Sequence, residues 1–258
     1  MSDDTTYRDY VASEKFGKAY ARYQRRYASS IRESDRVILG HVGDVVSSTG
    51  RDDLALLDIG CSTGNLLLHL RHAYPRLRLV GGDIGIGSLE SCRANPDLGG
   101  VEFREMDVLR LDEREAYDIV TVNAVFPLFD DEEFESALTN VASVLRPGGV
   151  MIVFDWFHPW EQDLTIVEKT PFRPLGLKIR FRPYSLVRRV LGHAGFGQDP
   201  MFAPFAIPID LPRGQTFGDN ADGFEDLNSY TIQTATGERM LFRGTLFQPW
   251  CHMVAHKA

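Results

Sequence analysis

Leu56-Leu57-Asp58-Ile59-Gly60-Cys61-Ser62-Thr63-Gly64-Asn65 is the stretch on which the fold turns. The apolar run 54–59 is short and unbroken, as a strand buried on both faces should be, and it stops at a glycine. Residues 65–74 then carry helical periodicity, closed by Pro75. Working outward, the alternation continues: a strand at 77–83, a short helix at 88–94, strands at 101–106 and 117–123, and a helix at 131–145. The acidic start of that last helix, Asp130 to Glu133, suits the positive end of a helix dipole. Arg146-Pro147-Gly148-Gly149 turns the chain into a fifth strand at 150–154. Upstream, Ser34 reads as the N-cap of a helix carrying Val37, Ile38, Leu39, Val42, Val45 and Val46, which Ser47-Ser48-Thr49-Gly50 ends. Tyr7, Tyr10, Tyr20, Tyr23 and Tyr27, with Phe16 between them, place one or two amphipathic helices before it. Short apolar strands alternating with helices predict a parallel sheet covered on both faces.

The first strand's end also announces a ligand. A glycine-bearing turn lets a small molecule approach the backbone while the amides at the helix start face it. Asp83 follows Asp58 by 25 residues, at the end of the second strand, where a carboxylate can accept both hydroxyls of a ribose. Asp107 ends the third strand, within reach of an adenine amino group. Three carboxylates at the carboxyl ends of consecutive strands line one crevice, the usual ligand position in an open α/β sheet. A nicotinamide dinucleotide competes as ligand, but it calls for Gly-x-Gly-x-x-Gly with a pyrophosphate on the helix. Here Gly60 and Gly64 are separated by three residues, and Asp58 beside the turn suits an ammonium and repels a pyrophosphate.

Over 34–155 the chain resembles the class I S-adenosylmethionine-dependent methyltransferases. The resemblance rests on DIGCSTG (58–64), GGD (81–83), MDV (106–108), TVNAVF (121–126) and LRPGG (145–149). Each is weak alone; five in order at the right spacing are strong. Ser62 stands where many members have a central glycine. The resemblance implies a Rossmann-like, mostly parallel seven-stranded sheet with helices on both faces. It also implies a helical N-terminal cover at 1–33, a cofactor-binding core at 34–155 and, at 156–258, a substrate-side cap with closing strands, all in a single domain. It implies S-adenosylmethionine as cofactor, with S-adenosylhomocysteine as product. The positions carried over for cofactor binding are Asp58, Gly60, Cys61, Ser62, Gly64, Asp83, Ile84, Asp107, Val108 and Asn123. The sulfonium already makes the methyl electrophilic, so the protein's task is alignment, and a base is needed only if the nucleophile must lose a proton.

In that family the acceptor lies over the ends of strands four and five, which puts Phe126, Trp156, Phe157 and Trp160 forward as acceptor-binding residues and His158 as a catalytic base. The competing reading is that these aromatics close the edge of the core around a surface histidine. His252, in Trp250-Cys251-His252, is a weaker candidate. Between Lys169 and Gln198 stand Lys169, Arg173, Lys178, Arg180, Arg182, Arg188 and Arg189 with no acidic residue. They read as a solvated face, or as partners of an anionic group on the acceptor. Arg32 could pair with the cofactor carboxylate, with Tyr23 and Tyr27 closing over it. Further on, 184–193 reads as a helix, 229–234 and 238–246 as a hairpin around Ala235-Thr236-Gly237, and 253–256 as a last edge strand. The segments 156–183 and 197–227 read as long loops of the kind that form lids.

Composition narrows the rest. With 258 residues, 43% hydrophobic and 25% charged, the chain can bury a large core and is neither disordered nor fibrous. A formal net charge of −8 argues against general nucleic-acid binding. Cys61, Cys92 and Cys251 show neither disulfide nor zinc spacing, so no metal site is expected and a reducing, cytoplasmic setting is. The start, MSDDTTYRDY, has no apolar core of a signal peptide, and no run approaches the roughly 18 apolar residues of a membrane span. The expectation is therefore a methyltransferase acting on the oxygen or nitrogen of a small, anionic or aromatic metabolite, with no membrane partner. An RNA or protein methyltransferase, or a non-catalytic cofactor-binding protein, is the alternative. Neither the acceptor nor the oligomeric state can be read from the residues.

Overall fold

The computed structural model describes residues 24, 27–161, 163–170, 173–197, 200–206, 229–233, 239–243 and 249–258. The N-terminal tyrosines up to Tyr23 and the turn 235–237 lie outside them. In chain order the elements are α1 Glu33–Thr49, β1 Ala55–Ile59, α2 Asn65–Ala73, β2 Arg78–Asp83, α3 Ile86–Arg93, β3 Glu102–Glu105 and β4 Tyr117–Asn123. There follow α4 Asp131–Val144, β5 Leu145–His158, β6 Leu164–Thr170, β7 Arg173–Pro183, α5 Tyr184–His193, β8 Met201–Pro204, β9 Ser229–Gln233, β10 Arg239–Arg243 and β11 Trp250–His256. The chain divides into two compact units, Met1–Phe205 with Pro249–Ala258, and Ala206–Gln248, where the sequence suggested one domain.

The first unit is built on a sheet of order β3-β2-β1-β4-β5-β11-β8. The first five strands are parallel, and β11 runs antiparallel between β5 and β8. Seven strands are expected; among the described residues the sheet has nine, because β6 and β7 join it through β5, and its far end also differs. The terminal strand lies inside the sheet, because β8 pairs on its far side. Helices cover both faces because the strands are apolar on both. Leu57, Val120, Met151 and Val153 pack with Phe134, Leu138 and Val141 of α4 and Val187 and Leu191 of α5. Leu56, Leu79, Ile119 and Ile152 pack with Ile38 and Val42 of α1, Leu66, Leu67 and Leu70 of α2, and Leu89 of α3.

Three local expectations are corrected. Arg32, not Ser34, is the N-cap of α1; Ser34 is buried in the first turn, where Glu33 and Asp35 face the dipole. The segment 156–183 is not a loop: β5 runs on to His158, and β6 and β7 form an antiparallel pair that joins the sheet through Phe157 and His158 opposite Arg182 and Pro183. Within 197–227, Met201–Pro204 is a strand. The acidic start of α4 is as expected, a capping box in which Asp130 accepts from the Glu133 amide (2.9 Å) and Glu133 from the Asp130 amide (3.0 Å). In the second unit, β9 and β10 pair antiparallel with Tyr230 opposite Phe242.

Candidate active site

The turn after β1 is held from beneath by its neighbour strand. The amides of Gly60 and Cys61 donate to the Gly82 carbonyl (2.8 and 3.1 Å). Gly60 sits at φ +73°, and a Cβ there would stand 2.5 Å from the Val125 side chain, so only glycine fits. Ser62 adopts φ 50° without being glycine. Its amide donates to Asp83 (2.7 Å) and its carbonyl accepts from the Cys92 thiol (3.2 Å), bonds that over-determine the strained residue. Gly64, at φ +72°, begins α2 and packs under Leu98 and Cys92.

One cavity of about 630 Å³ lies across the carboxyl ends of the strands, the size of a small-molecule site. Of the ten positions expected to hold cofactor, nine line it: Asp58, Gly60, Cys61, Ser62, Asp83, Ile84, Asp107, Val108 and Asn123. Gly64 does not; its role is to start the helix. Asp58 is 3% exposed and accepts from the Thr121 hydroxyl (2.7 Å). Burial pushes its carboxyl up to about 7, and nearby Asp35 and Asp83 add to the rise. Asp83 accepts from the Ser62 and Gly85 amides, each at 2.7 Å, while burial raises it too. Asp107 caps a single turn by accepting from the Leu109 amide (3.0 Å).

The acceptor side differs from expectation. Trp156 lines the cavity. Phe126 and Phe157 are buried in the core without lining the cavity, and Trp160 stands half in solvent, outside it. His158 is fully buried where β7 covers the end of β5, and it is not among the cavity-lining residues. Burial lowers its pKa, and the expected base is corrected accordingly. His252 is buried against Phe154 (4.5 Å between rings), and burial brings its pKa down to about 4; it is core. Arg182, read as surface or anion partner, is 1% exposed. It donates to the carbonyls of Phe126, Phe129 and Asp130 and lies over the Phe134 ring. Arg32 does face the cavity, bonded to Gln24 and lying 4.3 Å over the Tyr27 ring.

Sequence reasoning missed most of the far wall. Phe154, Phe205 and Trp250 line it, with Leu177, Ile179 and Glu168 from the β6–β7 pair. It also missed Asp35 of α1, whose carboxylate accepts from the Asn123 side-chain amide (3.3 Å). The Ser34-Asp35 pair at a helix start was the available signal.

A glycine turn and three strand-end carboxylates border one cavity, an arrangement suited to a nucleoside and lacking the glycine spacing of a pyrophosphate cradle. The family described as methyltransferase domain matches residues 56–149. These residues are a class I methyltransferase domain. S-adenosylmethionine is the cofactor of such a domain.

Among relatives, the chain is similar over 165 residues to a malonyl-[acyl-carrier protein] O-methyltransferase of Acetivibrio thermocellus. The two are 27% identical, over 64% of this chain and 54% of that protein. A demethylmenaquinone methyltransferase of Thermus thermophilus is 32% identical over 46% of this chain and 54% of its own length. The chain thus spans about half the length of these relatives. In fold it is similar to 1,6-didemethyltoxoflavin-N1-methyltransferase of Burkholderia thailandensis, a structure with bound S-adenosylhomocysteine. The TM-score is 0.56 at 14% identity, covering 96% of this chain and 88% of that one. Among the described residues no helix is long and apolar enough to cross a membrane.

Proposed function

We propose that this chain transfers a methyl group from S-adenosylmethionine to the oxygen or nitrogen of a small-molecule acceptor. One observation carries the reading: a single cavity joins the three strand-end carboxylates to an apolar wall, so donor and acceptor would share one enclosure. The residues present fit the cofactor. Asp58 is a buried carboxylate without a basic partner among the groups that perturb it, a state that an ammonium would relieve. Asp83 keeps lone pairs for ribose hydroxyls beyond its bonds to the Ser62, Gly85 and Ile84 amides, and Asp107 stands one strand further out for the adenine.

When bound, S-adenosylmethionine supplies the electrophilic methyl. The chain's own contribution is to hold the reactants in line, which is worth roughly 7–11 kcal/mol in favourable cases. The relatives methylate carrier-linked and quinone-type acceptors, as their names state, which supports a small-molecule acceptor here. Titration calorimetry of the folded protein with S-adenosylmethionine and S-adenosylhomocysteine tests the proposal. Saturable binding of both is expected, and labelled methyl should appear in a small, nuclease-resistant product from a metabolite extract. A folded protein that binds neither compound would overturn it.

A further inference from the structure

The cavity has two halves of different chemistry. Along the sheet order, Asp107, Asp83 and Asp58 stand at the ends of β3, β2 and β1, whereas Phe154, Trp156 and Trp250 stand on β5 and β11. Phe154 stacks on Trp250 at 4.6 Å and 10° between planes, and Trp156 meets Trp250 at 4.7 Å. Strand register makes this wall, since Trp156 and Trp250 are direct cross-strand partners. Phe205 closes edge-on against Phe154 (5.2 Å), and Leu177 and Ile179 of β7 complete the apolar lining.

Asp35 stands at the seam, 2% exposed and tied to Asn123 at the end of β4, between the two halves. The groups facing its carboxylate are Arg32 just before its own helix, Ser34 beside it, His69 of α2 and Asn123 of β4, with Asp58 of β1 in electrostatic reach. Burial outweighs the cations and raises its pKa. Among the described lining residues, the charges are Asp35, Asp58, Asp83, Asp107 and Glu168 against Arg32 alone. Lys178 stands between the wall residues Leu177 and Ile179 but does not itself line the cavity, and Arg180 and Arg182 donate to backbone carbonyls.

We propose that the acceptor is a flat aromatic molecule without negative charge, stacked on the Phe154–Trp156–Trp250 wall, whose O–H or N–H donates to the Asp35 carboxylate. This rests on the methyltransferase reading above and narrows it. A ring system gains from offset or edge contacts with three aromatic side chains. A carboxylate or phosphate would instead enter a poorly solvated space lined by five carboxylates and one cation, Arg32, which already faces Asp35. A hydroxyl or amine meets a buried acceptor oxygen there, which strengthens the bond and fixes which atom faces the donor half.

Three probes sharing one ring system separate these contributions: 1-naphthol, 1-methoxynaphthalene and 1-naphthoate. Each is titrated calorimetrically into the full chain saturated with S-adenosylhomocysteine. The expected order is naphthol tightest, methoxynaphthalene several-fold weaker for want of a donor, and naphthoate at least tenfold weaker than naphthol. In Asp35→Ala the advantage of naphthol over methoxynaphthalene should vanish and the penalty on naphthoate should shrink. Asp35→Asn, closer in shape, should relieve the naphthoate penalty as well, and Trp250→Ala should weaken all three. Naphthoate binding as tightly as naphthol would overturn the proposal, as would no binding of any probe by protein that holds S-adenosylhomocysteine. Failure of S-adenosylhomocysteine itself to bind is a separate reading, and it would remove the methyltransferase assignment and this proposal together.

Discussion

Asp83 serves two masters, fixing the glycine turn through the Ser62 amide while facing the cavity with its remaining lone pairs. Asp83→Ala should weaken S-adenosylhomocysteine binding at least tenfold, because two charge-assisted hydrogen bonds of about 1.5–3 kcal/mol each are lost. Calorimetry showing unchanged affinity in a folded variant would remove Asp83 from the site. Asp58 predicts a pH dependence. Its carboxyl lies near 7 in the free protein, and an ammonium held against it stabilises the ionised form. Binding therefore takes up no proton at high pH and must expel one at low pH. Affinity for S-adenosylhomocysteine should fall roughly tenfold between pH 7 and pH 5.5, with Asp83 and Asp35 steepening the slope, and Asp58→Asn should flatten it. Equal affinity at both values in the wild type would exclude the ammonium contact. These carboxylates were legible because each ends a strand in a local β-turn-α unit. His158 and Phe157 misled because the parity and length of β5 cannot be read from composition. Residues 154 and 156 share the cavity face, 157 points to the other, and 158 lies past the cavity, under β7.

At the scale of elements, the strand β7 shows how a signal can be present and overlooked. Leu177, Ile179 and Phe181 are buried and alternate with Lys178 and Arg180, a two-residue period. Pro174, Gly176 and Pro183 around it made the same stretch look like a loop. Arg182 breaks the alternation, since it is buried although its partners in the pattern are not, and composition alone puts such a residue on the surface. Its guanidinium ties β7 to the turn at Phe126–Leu128 and to the start of α4. Arg182→Met, which keeps volume and loses the donors, removes a charge-assisted bond from each of three carbonyls. The Phe129 amide, Arg180 and the Phe134 amide still donate to those of Phe126, Phe129 and Asp130 respectively. A loss of about 3 kcal/mol, or roughly 6–12 °C in melting temperature, is expected from the lost charge-assisted bonds in a unit of this size. Because Leu177 and Ile179 ride on the same strand, the variant should also weaken naphthol more than S-adenosylhomocysteine. A melting temperature within about 1 °C of wild type would show that the Arg182 bonds add nothing net to stability.

For the whole molecule, the division of the chain asks which part carries the cofactor site. Every residue lining the cavity belongs to the first unit, which the chain leaves at Phe205 and re-enters at Pro249. The two margins are neighbours there: the Phe205 amide donates to the Trp250 carbonyl (2.8 Å), and β8 and β11 pair just beyond. A short connection can therefore close the gap at little entropic cost, since closure grows only with the logarithm of loop length. The returning segment is indispensable in a way its length conceals. Strand β11 pairs with β5 along seven residues, and the Lys257 amide and carbonyl bond to Gly149 and Gly148 near the start of β5. Replacing Ala206–Gln248 by a few glycines and serines should leave a cooperatively folding protein that binds S-adenosylhomocysteine within about threefold of wild type. At a hundredfold excess over the dissociation constant, the ligand should stabilise both proteins by about 2.7 kcal/mol. Thermal melts with and without ligand measure this directly. Loss of the ligand-induced shift in a folded excision variant would mean that Ala206–Gln248 supplies part of the cofactor site. Removal of Pro249–Ala258 instead should abolish cooperative unfolding, because it strips the central sheet of the strand that holds Trp250 against Trp156.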